Sequence, residues 1–327
     1  MKLIFTILCV FLVQARTIAQ YEQMLHKPYN EKVENIARLY QNMISLYVED
    51  SVKANDYTYK MKTWAWENKD KELVLEAELL KAYLIWHVYG FEHPEVIKEL
   101  ITVAEKGKKQ HIPHIEERAV KTIAAHYWNL KNYEKAFVWL LRTAKILEKM
   151  DPNKFPNMAG HLNFIGLCYY HFGDYATAVT HFKKASELQK TSFNSLAVTE
   201  AQNTLGLCYQ KLGNFKLSNK SFLQIINDTT SYANPIWKGI AAGNLGYNYY
   251  LNGDYEKAIP LLEADIDGAL KINDFGLASG STIPLADIYL KQNLLKKAKE
   301  KIDESQKYIK QSGQTERYQK LYPVMSK

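Results

Sequence analysis

The sequence predicts an all-α solenoid of antiparallel helix hairpins, and three observations predict it. Segments Asn163–Ala185, Asn203–Ile225 and Gly243–Asp265 superimpose at a fixed offset of 40 residues. Within them Gly166, Gly206 and Gly246 coincide, then Tyr169, Tyr209 and Tyr249, then Gly173, Gly213 and Gly253. Between these markers apolar residues recur at helical spacing. A period of twenty to fifty residues means stacked supersecondary units, none of which can bury its apolar face alone.

The segment starting at Asn163 shows how one unit is specified. Ile165, Tyr169 and Phe172 give a first helix one apolar face. Gly173 ends it, because glycine accepts the left-handed conformation that commonly closes a helix. Asp174 follows and caps a second helix by accepting its free N–H groups; Asn214 and Asp254 repeat the device. The second helix carries Tyr175, Ala178, Phe182 and Ala185 on one stripe. Gly166 sits mid-helix, at a cost of about 1 kcal/mol relative to alanine. Three such costs at one repeated place imply a packing reason: close approach of the two helices with Ala178 opposite, and Tyr169 and Phe182 filling the volume beside them.

These residues resemble the tetratricopeptide repeat. Its signature is carried by Ile165-Gly166, Leu205-Gly206 and Leu245-Gly246, then by Tyr, Gly-x-Tyr, Ala, Phe and Ala at matching positions. The resemblance implies a right-handed superhelical array whose concave groove, lined by first helices, holds a protein or peptide. The units exceed the usual length of about 34 residues, which places extra residues in helix ends and inter-unit turns. Longer units of this kind are similar to those of regulatory tetratricopeptide proteins that wrap peptides or protein segments.

The same ruler extends outward. Leu285, Ala286, Tyr289, Leu295, Ala298 and Ile302 keep the offset of 40, with Asn293 in the glycine's place; Ile123, Ala124, Tyr127, Tyr133, Ala136 and Leu140 fit at 42. Fainter echoes involve Leu84, Ile97, Ile101 and Ala104, and the surroundings of Ile44 and Val48. The expected organisation is a leader over 1–19, a divergent helical or repeat-like region over 20–115, about five units over 116–311, and a final segment over 312–327. Met325-Ser326 occupy the place of Leu245-Gly246, so the last segment reads either as a capping helix or as the start of a further unit.

The leader is argued from Met1-Lys2, the apolar run Leu3–Val13 and the small-residue site Thr17-Ile18-Ala19. This is the pattern of a secretory signal peptide, too short for a spanning helix, and cleavage after Ala19 leaves Gln20 first. The expected location is therefore periplasmic or secreted, with membrane tethering if the chain continues beyond Lys327. Apolar residues make up 47% of the chain, ample for a solenoid core. Without Lys2 and Arg16 the mature chain holds 40 basic and 35 acidic residues, and ten basic against four acidic lie from Lys291 onward. That excess reads as a solvated lysine-rich helix face, with acidic partners or anionic headgroups as the alternative. No nucleic-acid module signature is present. Cys168 and Cys208 hold equivalent places in successive units and read as buried small hydrophobes, too far apart to bridge.

No Ser/His/Asp, paired-carboxylate or phosphate-loop constellation marks an enzyme, and no cofactor is implied. The run HIPHIEE at 111–117 offers His and Glu. Pro113 interrupts a common helical face, however, and the spacing fits no familiar zinc motif, so it reads as the turn into the first good repeat. The expected binding face lies beside the packing stripe of the first helices. It comprises Arg118, Lys121 and Trp128; then Asn163, Leu167 and Tyr170; then Glu200, Asn203 and Gln210; then Asn244, Tyr247 and Tyr250. Asparagine amides can bond an extended peptide's backbone, and aromatics give contact area at low entropy cost. Three functions follow: the peptide-binding sensor part of an exported bacterial regulator, an exported scaffold for envelope proteins, or a cytosolic peptide-controlled phosphatase or anti-activator.

Overall fold

Each of the five strong repeats forms two helices joined by a three-residue turn. The computed structural model describes residues 21–90 and 93–327; the leader Met1–Ala19 lies outside them. The helices are α1 (Tyr29–Glu49), α2 (Ser51–Glu67), α3 (Lys71–Tyr89), α4 (Pro94–Lys109), α5 (Pro113–Asn129) and α6 (Tyr133–Leu147). They continue with α7 (Met158–His171), α8 (Tyr175–Ser186), α9 (Ser195–Lys211), α10 (Phe215–Ile226), α11 (Pro235–Leu251) and α12 (Tyr255–Lys271). The last are α13 (Phe275–Lys291), α14 (Leu295–Ser312) and α15 (Tyr318–Met325). The described residues contain no strand, and none of their helices is long and apolar enough to cross a membrane.

The chain divides into two compact bodies between Met158 and Ala159. In the N-terminal body the faint echoes also fold as hairpins, α1 with α2 and α3 with α4. Its main apolar core joins Leu75, Leu79 and Ile85 of α3 to Val96, Leu100 and Val103 of α4 and Ile115, Ala119 and Ile123 of α5. Leu84 and Ala104 are buried as their echo requires, whereas Ile101 and Val48 face outward, so the ruler has slipped at those two positions. Pro113 opens α5 as its first residue rather than breaking it. Proline suits that place because the first N–H has no helical partner.

In the C-terminal body, Gly173 ends α7 with φ +78°, and Asn293 adopts φ +60° where the glycine stood. Asparagine is among the few side-chain-bearing residues that visit this region readily. Phe172 lies beyond the end of α7 and is half-exposed rather than part of the apolar stripe. Asp174 Oδ1 accepts from the Thr177 N–H at 3.0 Å, and Asn214 Oδ1 accepts from the Leu217 N–H at 3.1 Å. Asp254 departs from this device: its side chain makes no cap bond and instead accepts from Lys257 Nζ. Asp174→Ala is therefore expected to cost about 1 kcal/mol by urea unfolding, and Asp254→Ala clearly less.

The repeated glycine has a sharper cause than the sequence conveys. A Cβ on Gly166 would stand 2.8 Å from the Phe182 ring, and one on Gly206 would stand 2.5 Å from the Phe222 ring. The aromatic itself lies on the glycine, rather than beside an alanine–glycine contact. In the next unit Leu262 replaces the phenylalanine, and a Cβ on Gly246 would meet Leu261 and Leu262 at 3.0 and 3.2 Å. At the end of the body, α15 buries Leu321 and Val324 against Ile283, Ala286 and Ile309.

Candidate functional site

The first helices α7, α9 and α11 are tied to one another by side-chain amides. Asn163 Nδ2 donates to the Ala197 carbonyl at 2.8 Å, and more weakly to the Glu200 carboxylate at 3.4 Å. Asn244 Nδ2 donates to Asn203 Oδ1 at 3.0 Å, and Gln210 Nε2 donates to Asn248 Oδ1 at 2.7 Å. Asn248 Nδ2 in turn donates to Ser218 Oγ and Asn219 Oδ1, both at 2.7 Å. Asn163 is 3% exposed and Asn203 6%. These two asparagines thus sit inside the stack instead of open on a groove, because the next first helix covers them. Buried amides must be bonded, or each lost bond costs about 1–3 kcal/mol. Replacing Asn163, Asn203 and Asn244 together would therefore loosen the stack as well as any ligand site.

The remaining positions of this body form a more open face. Leu167 is 41% exposed, and Tyr170 and Tyr247 are half-buried. Burial holds both phenols above their ordinary range. The Tyr247 and Tyr250 rings lie 5.6 Å apart, and Tyr250 Oη donates to Asp287 Oδ2 at 2.8 Å. Asp287 also pairs with Lys291 at 2.9 Å and Lys327 at 2.6 Å. Burial pushes its carboxyl up, but these three partners outweigh that and hold it below the usual range. Sequence reasoning missed Asp287, although the register supplies it: residues 167, 207, 247 and 287 are one position at successive offsets of 40.

Arg118, Lys121 and Trp128 belong to the N-terminal body, all on α5. Arg118 Nη1 donates to both oxygens of Glu76 at 2.8 and 2.7 Å, between the rings of Tyr29 at 5.5 Å and Tyr40 at 5.3 Å. Its side chain is 13% exposed and that of Glu76 fully buried. Arg118 is therefore an interior cation, not a groove contact. Trp128 packs edge-on to Tyr133 at 5.0 Å; Lys121 is half-buried on the same helix.

The run HIPHIEE comes apart. His111 is exposed at φ +58° ahead of α5, whereas His114 stacks on Tyr29 at 4.4 Å and approaches Glu72 at 3.2 Å. Burial raises the Glu72 carboxyl, yet His114 and Lys32 outweigh it and hold it low. Among the described residues no group of three or more His, Cys, Asp or Glu is placed to hold a metal. Cys168 and Cys208 are both buried and are not joined in a disulfide, and burial pushes the Cys208 thiol up to about 12.

Asp265 is a buried carboxyl of the C-terminal body that is strongly raised. It is 2% exposed, and burial raises it to about 6 against the hydrogen bond from Ser281 Oγ at 2.6 Å. The folded state thus binds this proton more tightly than the unfolded chain, whose carboxyl titrates near 4. Its contribution to stability is full below about pH 4 and is lost as pH rises to about 6. Asp265→Asn is expected to remove about 1–3 kcal/mol of that decline, measured as urea midpoints across the same pH range.

Residues 157–228 match the tetratricopeptide repeat family. No curated protein sequence matches the chain. Among solved structures, the chain is similar to the apo form of RapI (TM-score 0.64, 12% identity, 85% of this chain and 77% of that one). It is also similar to the apo form of the quorum sensor NprR from B. thuringiensis (TM-score 0.57, 19% identity, 89% and 80%). A Rap protein complexed with competence and sporulation factor aligns with TM-score 0.52 and 14% identity over 88% and 80%. The chain carries tetratricopeptide repeats within an all-α array of helix hairpins.

Proposed function

We propose that this protein is a non-catalytic module that binds a peptide or protein segment across the first helices of residues 159–291. The observation that carries the reading is the division of labour on those helices. Amides at Asn163, Asn203, Gln210 and Asn244 lock neighbouring first helices together, and Leu167, Tyr170 and Tyr247 stand beside them on a fixed face. A rigid aromatic face binds with little ordering cost, which is what peptide capture requires. The fold likeness to a quorum sensor and to a Rap protein held with a signalling factor supports it. Panning a random peptide display library on the immobilised protein tests it. Enriched binders should lose most of their affinity with Leu167→Asp or Tyr247→Ala at unchanged helical circular dichroism. Failure to enrich, or binders indifferent to both variants, would refute the assignment.

The module's setting is the exported part of a regulator or scaffold, on the strength of the Met1–Ala19 leader pattern. The fold likeness over 89% of the chain to the quorum sensor NprR favours a second reading, a peptide-controlled regulator that stays in the cell. N-terminal sequencing of the expressed protein separates them: Gln20 as first residue supports export, and an intact Met1 supports the second reading.

A further inference from the structure

The positive charge of the C-terminal segment is not evenly solvated. On α14 Lys296, Lys297 and Lys299 face water, as a lysine-rich helix face should. Four other cations gather instead on the first-helix side. Lys291 and Lys327 converge on Asp287, which with Tyr250 as third donor has no capacity to balance more charge. Lys320 Nζ lies over the Tyr247 ring at 6.0 Å. Arg317 rests against Gly280 of α13, where a Cβ would come within 2.7 Å of Nη1, and its Nε donates to Gln314 Oε1 at 2.6 Å.

That last bond is the one hydrogen bond the Arg317 side chain makes among the described residues, and neither Lys211 nor Lys320 has a carboxylate within ion-pair distance among them. Asp265, Asp274 and Glu316 act on Arg317 only from a distance. Burial lowers Lys320 first, and repulsion from Arg317 and Lys211 lowers it further. Like charges drawn together on a partly desolvated face, with an arginine held in place and its fork unused, are costly unless an anion completes them. Tyr247 beside them is the aromatic already assigned to the peptide face.

We infer that Lys211, Tyr247, Arg317 and Lys320 form an anion-reading end of the binding face, and that its ligand is an acidic peptide segment. This inference rests on the peptide-binding reading. The carboxylates of the segment take the Arg317 fork and the two ammonium groups, while its apolar residues pack along Tyr247 and Tyr170. A peptide suits the arrangement because the cations lie beside an aromatic face rather than along a continuous basic stripe, which a nucleic-acid backbone would need.

Fluorescence anisotropy with three labelled probes tests it. They are an eight-residue peptide of alternating Glu and Leu, its Lys/Leu counterpart, and a single-stranded oligonucleotide; vesicles of phosphatidylglycerol are tested by co-sedimentation. The Glu/Leu peptide should bind, weaken with added salt, and lose at least about tenfold in affinity with Lys211→Glu/Lys320→Glu. Both side chains reach the surface, although neighbouring groups crowd Lys320, so this variant should fold, and Lys211→Gln/Lys320→Gln should give a smaller loss. Lys296→Glu/Lys297→Glu carries the same charge change away from the face and should bind normally.

Equal losses in both double-glutamate variants would reduce the effect to bulk charge and overturn the inference. Equal binding of the Lys/Leu peptide, or charge-dependent binding confined to the vesicles or oligonucleotide, would do the same. The two levels separate cleanly. If panning enriches peptides without acidic bias and the lysine variants leave them bound, only the anion site fails. If panning enriches nothing, the peptide-binding reading itself fails.

Discussion

Arg118→Ala is expected to destabilise the N-terminal body by about 3–5 kcal/mol. The guanidinium is 13% exposed and the Glu76 carboxylate it neutralises is fully buried. Truncating the arginine leaves a carboxylate with no water and no counter-ion, and removes the contacts with the Tyr29 and Tyr40 rings. Interactions of this geometry are held together by the protein around them, since two charges brought out of water recover their hydration only through each other and their hydrogen bonds. The Tyr40 phenol in the same enclosed pocket is raised well above its ordinary range, by burial first and then by Glu76. Removing both charges, as Glu76→Leu/Arg118→Met, should recover most of the loss, because an apolar pair of similar volume has no desolvation to offset. Urea unfolding of the wild type, the single variant and the double variant reads this directly. A loss below about 1 kcal/mol for Arg118→Ala would mean that the pair is hydrated and that α1, α3 and α5 do not close over it.

The second large effect is expected at the glycine–phenylalanine contact inside each hairpin. Gly206→Ala would gain about 1 kcal/mol of helix propensity on an exposed helix. Here the new Cβ would lie 2.5 Å from a ring carbon of Phe222, a residue with no exposure and no slack around it. Overpacking of this kind costs about 1–3 kcal/mol, so the variant should be less stable than the parent. Phe222→Ala should cost about 3–5 kcal/mol by opening a cavity. The sign of Gly206→Ala should reverse in a Phe222→Leu background, where the shorter side chain makes room and only the propensity gain remains. A double-mutant cycle by urea unfolding tests the coupling, which contacting residues show and distant ones do not. Additive effects would refute the contact.

The hairpins were legible in the sequence because their causes are local. Gly173 and Asn293 end helices through their own backbone conformations, and Asp174 caps through a bond to a residue three positions on. The site was less legible because its causes are not local. Periodicity places Asn163 and Asn203 on the first-helix face, but only the neighbouring unit decides whether that face is covered, and there it is. Arg118 reads as a groove cation until its partner, Glu76, is found 42 residues away. The cations from Lys291 onward look alike in sequence; Asp287, Tyr247 and Gly280 sort them into solvated and gathered groups. Asp287 itself was within reach of the register, since it follows Leu167, Leu207 and Tyr247 at equal steps.

On the proposed function, ligand is held by the first helices of the C-terminal body and not by the second helices or by the N-terminal body. Photo-crosslinking measures this most directly, using a panned peptide carrying benzoylphenylalanine at an apolar position, followed by mass mapping of the labelled fragments. Labels should fall within residues 163–171, 203–211 and 243–251, and fade with Tyr247→Ala. Labels concentrated on α8, α10 or α12, or within residues 21–158, would contradict the account.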